Sequence, residues 1–223
     1  MGRMRKASRL WNDAESRRAA TRVTVGETDG SEAFTVRLRG WFGRRAPLEV
    51  EIGAGKGSFI IERARAFPER DFLAVEMPLP VAKTLAVRVG RSGLPNIRVL
   101  RADARSLVAF LMPDLAVSAY HVYYPDPWPK ARHAKHRLFS PSFVAGLART
   151  LIVGGMVYVA SDVKTWAEEM FGAMLQGGFI TEAEPVPGVL GAGFGRKYAA
   201  QGRALFAGAF RKTSTASQPW ADA

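Results

Sequence analysis

Apolar residues in this chain come as short continuous runs that alternate with segments of helical spacing, the two kinds separated by glycine, proline and charge. Leu48-Glu-Val-Glu-Ile52 opens the series and enters the turn Gly53-Ala-Gly-Lys-Gly57, after which Ser58–Ala66 has the spacing of a helix. A short helix within Phe34–Arg45 is expected to lead into that first strand. Asp71–Glu76 reads as the second strand, Pro80–Arg91 as a helix with proline at its start, and Asn96–Leu100 as the third strand. A helix over Arg105–Leu111 follows, then an unusually aromatic strand, Val117–Tyr124. Ser140–Ile152 is expected to be helical, with Ser140 as cap and Pro141 at the first position. Gly155–Ala160 reads as a fifth strand and Lys164–Leu175 as a helix. Past Gly177-Gly178 the pattern loosens to a strand near Phe179, a glycine-rich loop over Gly188–Gly195 and a last strand over Ala204–Phe210. Alternation of this kind predicts an α/β domain, a mostly parallel sheet with helices on both faces. With no repeat or internal boundary, one domain is expected over residues 34–212, between a basic flexible arm at 1–33 and a disordered tail at 213–223.

The ends of the first three strands change the picture from fold to chemistry. Glu51 stands at the carboxyl end of the first strand, where open α/β sheets bind ligands. The glycines at 53, 55 and 57 let backbone approach a ligand, although a tight strand-to-helix turn needs them equally. The spacing fits neither a phosphate-binding P-loop nor G-x-G-x-x-G. Glu76 closes the second strand, suited to two ribose hydroxyls, and Asp103-Ala104 follows the third, suited to an adenine amino group. Three carboxylates at one edge, with no pyrophosphate cradle, favour S-adenosylmethionine over a nicotinamide dinucleotide.

Composition adds a partner. The chain has 223 residues, 48% of them hydrophobic, enough for a substantial core. Its net charge of +12 and pI near 10.6 point to a polyanion, with a generally basic surface as the alternative. Arg3, Arg5, Lys6, Arg9, Arg17, Arg18 and Arg22 face only Asp13 and Glu15 in the first 22 residues, an arm that would lie along a phosphate backbone or serve as a solubilising tail. No apolar run is long enough for a bilayer and no signal-peptide core opens the chain, so a cytoplasmic location is expected. There is no cysteine, which removes disulfides, thiolate zinc sites and the cysteine-nucleophile route to pyrimidine carbon methylation. His121, inside an apolar strand, reads as a core residue; His133 and His136, among lysines and arginines, read as phosphate contacts rather than metal ligands, and no metal is expected.

The segment after the fourth strand, Tyr123-Tyr-Pro125-Asp126-Pro127-Trp128-Pro129-Lys130, stiffens the backbone with alternate prolines and holds Asp126 extended. Tyr124 and Trp128 could stack on a base turned out of its helix, with a buried role open for Tyr124. Pro-Asp-Pro-Trp-Pro-Lys-x-Arg-His-x-Lys closely resembles the signature of the bacterial tRNA (guanine-N7)-methyltransferases. The likeness runs from Phe42-Gly-Arg-Arg-Ala-Pro47 to Phe179 and takes in Glu51-Ile-Gly-x-Gly-x-Gly, Glu76, Asp103-Ala104 and Ser161-Asp162, where the family usually has Thr-Asp.

The resemblance implies a Rossmann-like class I methyltransferase fold with a seven-stranded sheet. It implies methyl transfer from S-adenosylmethionine to N7 of a guanosine in the tRNA variable loop, by a monomer or homodimer. Glu51, Gly53, Glu76, Asp103, Ala104 and Asp126 would hold the donor, and Asp126 would also be catalytic. Lys130, Asp162, Arg196, Lys197 and Tyr198 would hold the substrate, Lys130 on a phosphate or base oxygen and Asp162 on a guanine N–H. Two features depart from the family. Arg196-Lys197-Tyr198-Ala199 lacks the threonine and glutamate of a motif that helps hold the guanosine, and His136 replaces the usual arginine. The departure keeps two alternatives in play: a class I methyltransferase with another target, or a non-catalytic RNA-binding relative.

Overall fold

The structure, a computed structural model, describes residues 25–26, 40–127, 137–189 and 193–213. Two compact units succeed one another along the chain, parted between Leu107 and Val108; the domain expected over 34–212 spans both. Apart from Val25-Gly26, the expected basic arm lies outside the described residues, as do Trp128–His136 and the tail beyond Thr213.

The first unit holds four parallel strands, β1 (Val25–Gly26), β2 (Leu48–Ile52), β3 (Asp71–Glu76) and β4 (Ile97–Arg101), in the order β1-β4-β3-β2. Every residue of β2 and all but the last of β3 are buried, which is why both read as unbroken apolar runs rather than alternating ones. Two helices cover these strands: α1 (Ser58–Ala66) buries Phe59, Ile60, Ile61 and Ala64, and α2 (Leu79–Ser92) buries Leu85, Ala86 and Val89 among others. The two-residue strand β1 was not expected; it lies in a polar, turn-rich stretch and pairs only Val25 with Val99 and Gly26 with Leu100.

Glu49 is the exception inside β2, a fully buried carboxylate. It accepts from Arg63 Nε at 2.5 Å and from Arg70 Nη1 at 2.6 Å, tying β2 to α1 and to the turn that follows it. Removing one member of a buried pair strands the other. Glu49→Ala should therefore destabilise the protein by about 3 kcal/mol, read as a lowered urea midpoint; an unchanged midpoint would show the network to be dispensable.

The helix expected over Arg105–Leu111 is instead one α turn, α3 (Ala104–Ser106), followed by a π-helical turn at Leu107–Leu111. Arg149 explains the widening. Its guanidinium takes the carbonyls of Val108 at 3.0 Å, Ala109 at 3.3 Å and Met112 at 2.9 Å, drawing them from the regular ladder.

The second unit holds β5 (Val117–Tyr123), β6 (Leu151–Ser161), β7 (Phe179–Glu182) and β8 (Phe206–Lys212), in the order β5-β6-β8-β7. β5 and β6 are parallel, and β8 runs antiparallel to both its neighbours. The helices are α4 (Pro141–Thr150), α5 (Lys164–Gln176) and α6 (Gly193–Ala200). Ser140 caps α4 as expected, its hydroxyl accepting from Phe143 N at 3.3 Å. The helix ends at Thr150 rather than Ile152, and β6 starts at Leu151 rather than Gly155. Leu151 pairs with Val117, the register then shifts, and regular pairing resumes at Met156 with Ala119. Gly154, in the left-handed region at φ 79°, and Gly155, where a Cβ would meet the Ile152 carbonyl at 2.9 Å, make that irregularity possible. His121 is buried as expected, with Nδ1 2.8 Å from the Tyr123 hydroxyl. No helix among the described residues is long and apolar enough to cross a membrane.

Candidate active site

β2, β3 and β4 run in register, Ile52 beside Val75 and Val75 beside Leu100, so their carboxyl ends form one edge of the first unit. Gly53, Gly55 and Gly57 all take left-handed backbone, at φ 72°, 58° and 73°. A side chain at Gly57 would also meet Leu85 Cδ1 at 2.5 Å, but the left-handed backbone is what calls for glycine there. The turn is tied across the edge: the amides of Gly53 and Ala54 donate to the Val75 carbonyl at 2.9 and 3.1 Å. Glu76 holds the turn from the next strand, accepting from Gly55 N at 2.7 Å and Met77 N at 3.0 Å.

Glu51 is buried beneath this turn, and its Oε2 has no hydrogen-bond partner among the described residues. Burial pushes its carboxyl well above the usual carboxylate range; the neighbouring charge of Glu76 pushes the same way, and a hydrogen bond from the Ile60 amide opposes both. A carboxyl buried beside another carboxylate stays protonated on its own and would ionise against an incoming cation. The α-ammonium of an amino-acid-bearing nucleoside is such a group, and the left-handed glycines bring backbone to the same place. These residues fit S-adenosylmethionine.

Asp103 follows β4 and caps α3, but its carboxylate is occupied from within the chain. It accepts from Arg105 N at 2.9 Å, Nε at 3.2 Å and Nη2 at 2.7 Å, and the guanidinium holds its pKa below the ordinary value. Ala104 is the first residue of α3. In the sequence Arg105 only opens an expected helix, and nothing there marks its pairing with Asp103.

The second unit gathers a different set. At the end of β5 the chain turns through Tyr124, which takes left-handed backbone at φ 55° and is costly for a non-glycine residue. Two bonds hold it: its amide donates to Ala160 O at 2.7 Å and its hydroxyl to Val189 O at 2.8 Å. Pro125 and Pro127 flank an exposed Asp126. Asp162 follows β6 with a nearly buried carboxylate. Arg196, Lys197 and Tyr198 lie on α6, which begins at Gly193 inside the glycine-rich loop expected over Gly188–Gly195; Arg196 and Lys197 are exposed. Gly195 admits that helix because a Cβ there would collide with the Val189 carbonyl.

Tyr198 sets its ring edge-on to Tyr124, with centroids 5.5 Å apart. Burial raises the Tyr198 hydroxyl pKa, and the charges of Asp162 and Asp126 raise it further against the opposing Arg203. The Tyr124 hydroxyl is pushed up to about 12, by burial first and then by Asp162 and Tyr198. The second unit thus brings Asp126, Asp162 and Tyr198 together. Lys130 and Trp128 lie outside the described residues. Sequence reasoning assigned no role to Arg203, which pairs with Asp162; the signal was Gly202, a helix-stopping residue that turns the next side chain back on α6.

A family model described as "Putative methyltransferase" matches residues 45–185. A tRNA (guanine-N(7)-)-methyltransferase of Verminephrobacter eiseniae is 42% identical over 130 residues, covering 58% of this chain and 47% of that protein. The same-named protein of Chromohalobacter salexigens is 34% identical over 178 residues, covering 74% and 72% respectively. The chain spans about half the length of several of the curated relatives it matches. Among solved structures, the 16S rRNA methyltransferase KamB superposes with a TM-score of 0.61 at 19% identity, over 86% of this chain and 99% of that one. The fold is therefore the Rossmann-like class I methyltransferase fold, and the chain belongs to the tRNA (guanine-N(7)-)-methyltransferase family.

Proposed function

We propose that this protein methylates N7 of a guanosine in tRNA, acting in the cytoplasm with S-adenosylmethionine as donor. The observation that carries the donor is the buried Glu51 carboxyl, whose Oε2 has no partner among the described residues. S-adenosylmethionine, when bound, supplies a methyl group on a positively charged sulfur, and N7 of guanine, with a lone pair and no proton, accepts it without a base. The protein's work is therefore to position and to balance charge. Glu51 takes the ammonium of the donor, Gly53 lets its nucleoside approach the backbone, and Glu76 takes the ribose hydroxyls. Asp103 and Ala104 border the adenine. Asp126 faces the guanine edge and favours the positive charge that grows on the purine. Lys130 holds a phosphate or base oxygen, Asp162 an N–H of the base, and Arg196, Lys197 and Tyr198 the surrounding nucleotide. The net charge of +12 supports a polyanionic substrate.

The departure at Arg196–Ala199 favours a second reading, the same chemistry on another RNA. One assay separates the two. The protein is incubated with labelled methyl donor and either unmodified tRNA or ribosomal RNA, and the products are digested to nucleosides. Label in 7-methylguanosine from tRNA is the expected result. Label from ribosomal RNA alone would favour the second reading, and no label with either RNA would defeat both.

A further inference from the structure

We propose that Arg203 reads the target base together with Asp162, as the donor half of a donor–acceptor pair; this rests on the guanosine reading above. α6 ends at Ala200, and the chain folds back at once. The amides of Gln201 and Arg203 both donate to the Tyr198 carbonyl at 3.0 Å, and Gly202 between them is left-handed at φ 68°. This return lays the Arg203 guanidinium over the Tyr198 ring, Cζ 4.7 Å from the centroid. The ring is itself braced edge-on by Tyr124, whose amide and hydroxyl are both bonded to backbone. From that platform Arg203 Nη1 donates to Asp162 Oδ2.

An ordinary surface ion pair joins two mobile side chains. Here the carboxylate is 12% exposed, set directly after β6, and the guanidinium is fixed by a glycine turn and an aromatic face. Ala199 leaves α6 without the carboxylate that the family motif carries, and Arg203 pairs with Asp162. Arg203 is 51% exposed, and its remaining guanidinium N–H groups have no other hydrogen-bond partner among the described residues. Asp162 Oδ1 likewise has none.

Pairing changes what the site reads. A lone carboxylate offers two acceptors, the complement of the N1–H and N2–H donors of guanine. With Oδ2 held by Arg203, the pair offers one acceptor beside an N–H donor. Its complement is N1–H beside O6, an edge that guanine and inosine share; adenine presents donor and acceptor in the reverse order.

The test uses the full chain, unmodified tRNA, and the same tRNA with inosine at the methylated position. Arg203→Ala should lower kcat/KM for the guanosine RNA about 10- to 100-fold, the worth of a charged hydrogen bond. Donor affinity by calorimetry should be unchanged. Arg203→Lys, which keeps the charge beside Asp162 but not the planar second donor, should match wild-type melting temperature while recovering little rate. Wild type should methylate the inosine RNA within about three-fold of the guanosine RNA, since both edges being read survive. Full kcat/KM in Arg203→Ala, or an inosine penalty as deep as that of the variant, would overturn the proposal while leaving the enzyme's function standing. A wild type that binds donor yet methylates no guanosine RNA would defeat the functional reading, and this one with it.

Discussion

Glu51→Gln should make the free protein more stable and donor binding on the order of 100-fold weaker, the scale of a buried charge-assisted hydrogen bond. In the free protein the Glu51 carboxyl is buried beside Glu76 with Oε2 unpartnered. An amide keeps an oxygen for the Ile60 N–H and carries no charge against Glu76. The sign of the pH dependence follows from the raised pKa. The stability associated with the protonated carboxyl is fully present below its ordinary pKa of 4.5 and is lost as pH rises through the higher folded value. The variant has no such loss, so its advantage in melting temperature should widen as pH rises over that range. Donor binding moves the other way. An incoming ammonium requires the ionised carboxylate, so wild-type affinity should strengthen with pH and binding should release a proton, measurable by calorimetry in buffers of different ionisation enthalpy. A variant that binds donor as tightly as wild type would remove Glu51 from the donor site.

Asp126→Ala should reduce turnover by about 100-fold or more, far more than it weakens donor binding, with melting temperature close to wild type. Asp126 is exposed, and Pro125 and Pro127 fix its backbone without help from its side chain. Its carboxylate therefore contributes little to the fold, and its cost in conformational freedom has already been met. What remains is electrostatic: the purine becomes cationic as N7 gains a methyl group, and a fixed negative charge favours that state over the neutral ground state. Asp126→Asn keeps the shape and a hydrogen-bond acceptor but not the charge. If charge is the contribution, Asn should be nearly as slow as Ala in single-turnover rates. Turnover at the wild-type rate in either variant would exclude Asp126 from the chemistry.

Periodicity was enough for the alternating α/β architecture and for the acids at its strand ends. Strands covered on both faces must be continuously apolar, and β2 and β3 announce themselves that way. Glu51 and Glu76 stood out as polar residues closing such runs, and Gly53, Gly55 and Gly57 as backbone that only glycine adopts easily. Tertiary structure alone decided what those groups face. Arg196–Ala199, between the expected glycine-rich loop and the last strand, carries no clear pattern, yet it is helical and sets Tyr198 against Tyr124. The pairing of Arg203 with Asp162 joins residues 41 positions apart. Local propensity and periodicity report on a residue and its near neighbours. Ion pairs, ring contacts and the left-handed Tyr124 are set by chain segments that meet only after folding, so no local pattern encodes them.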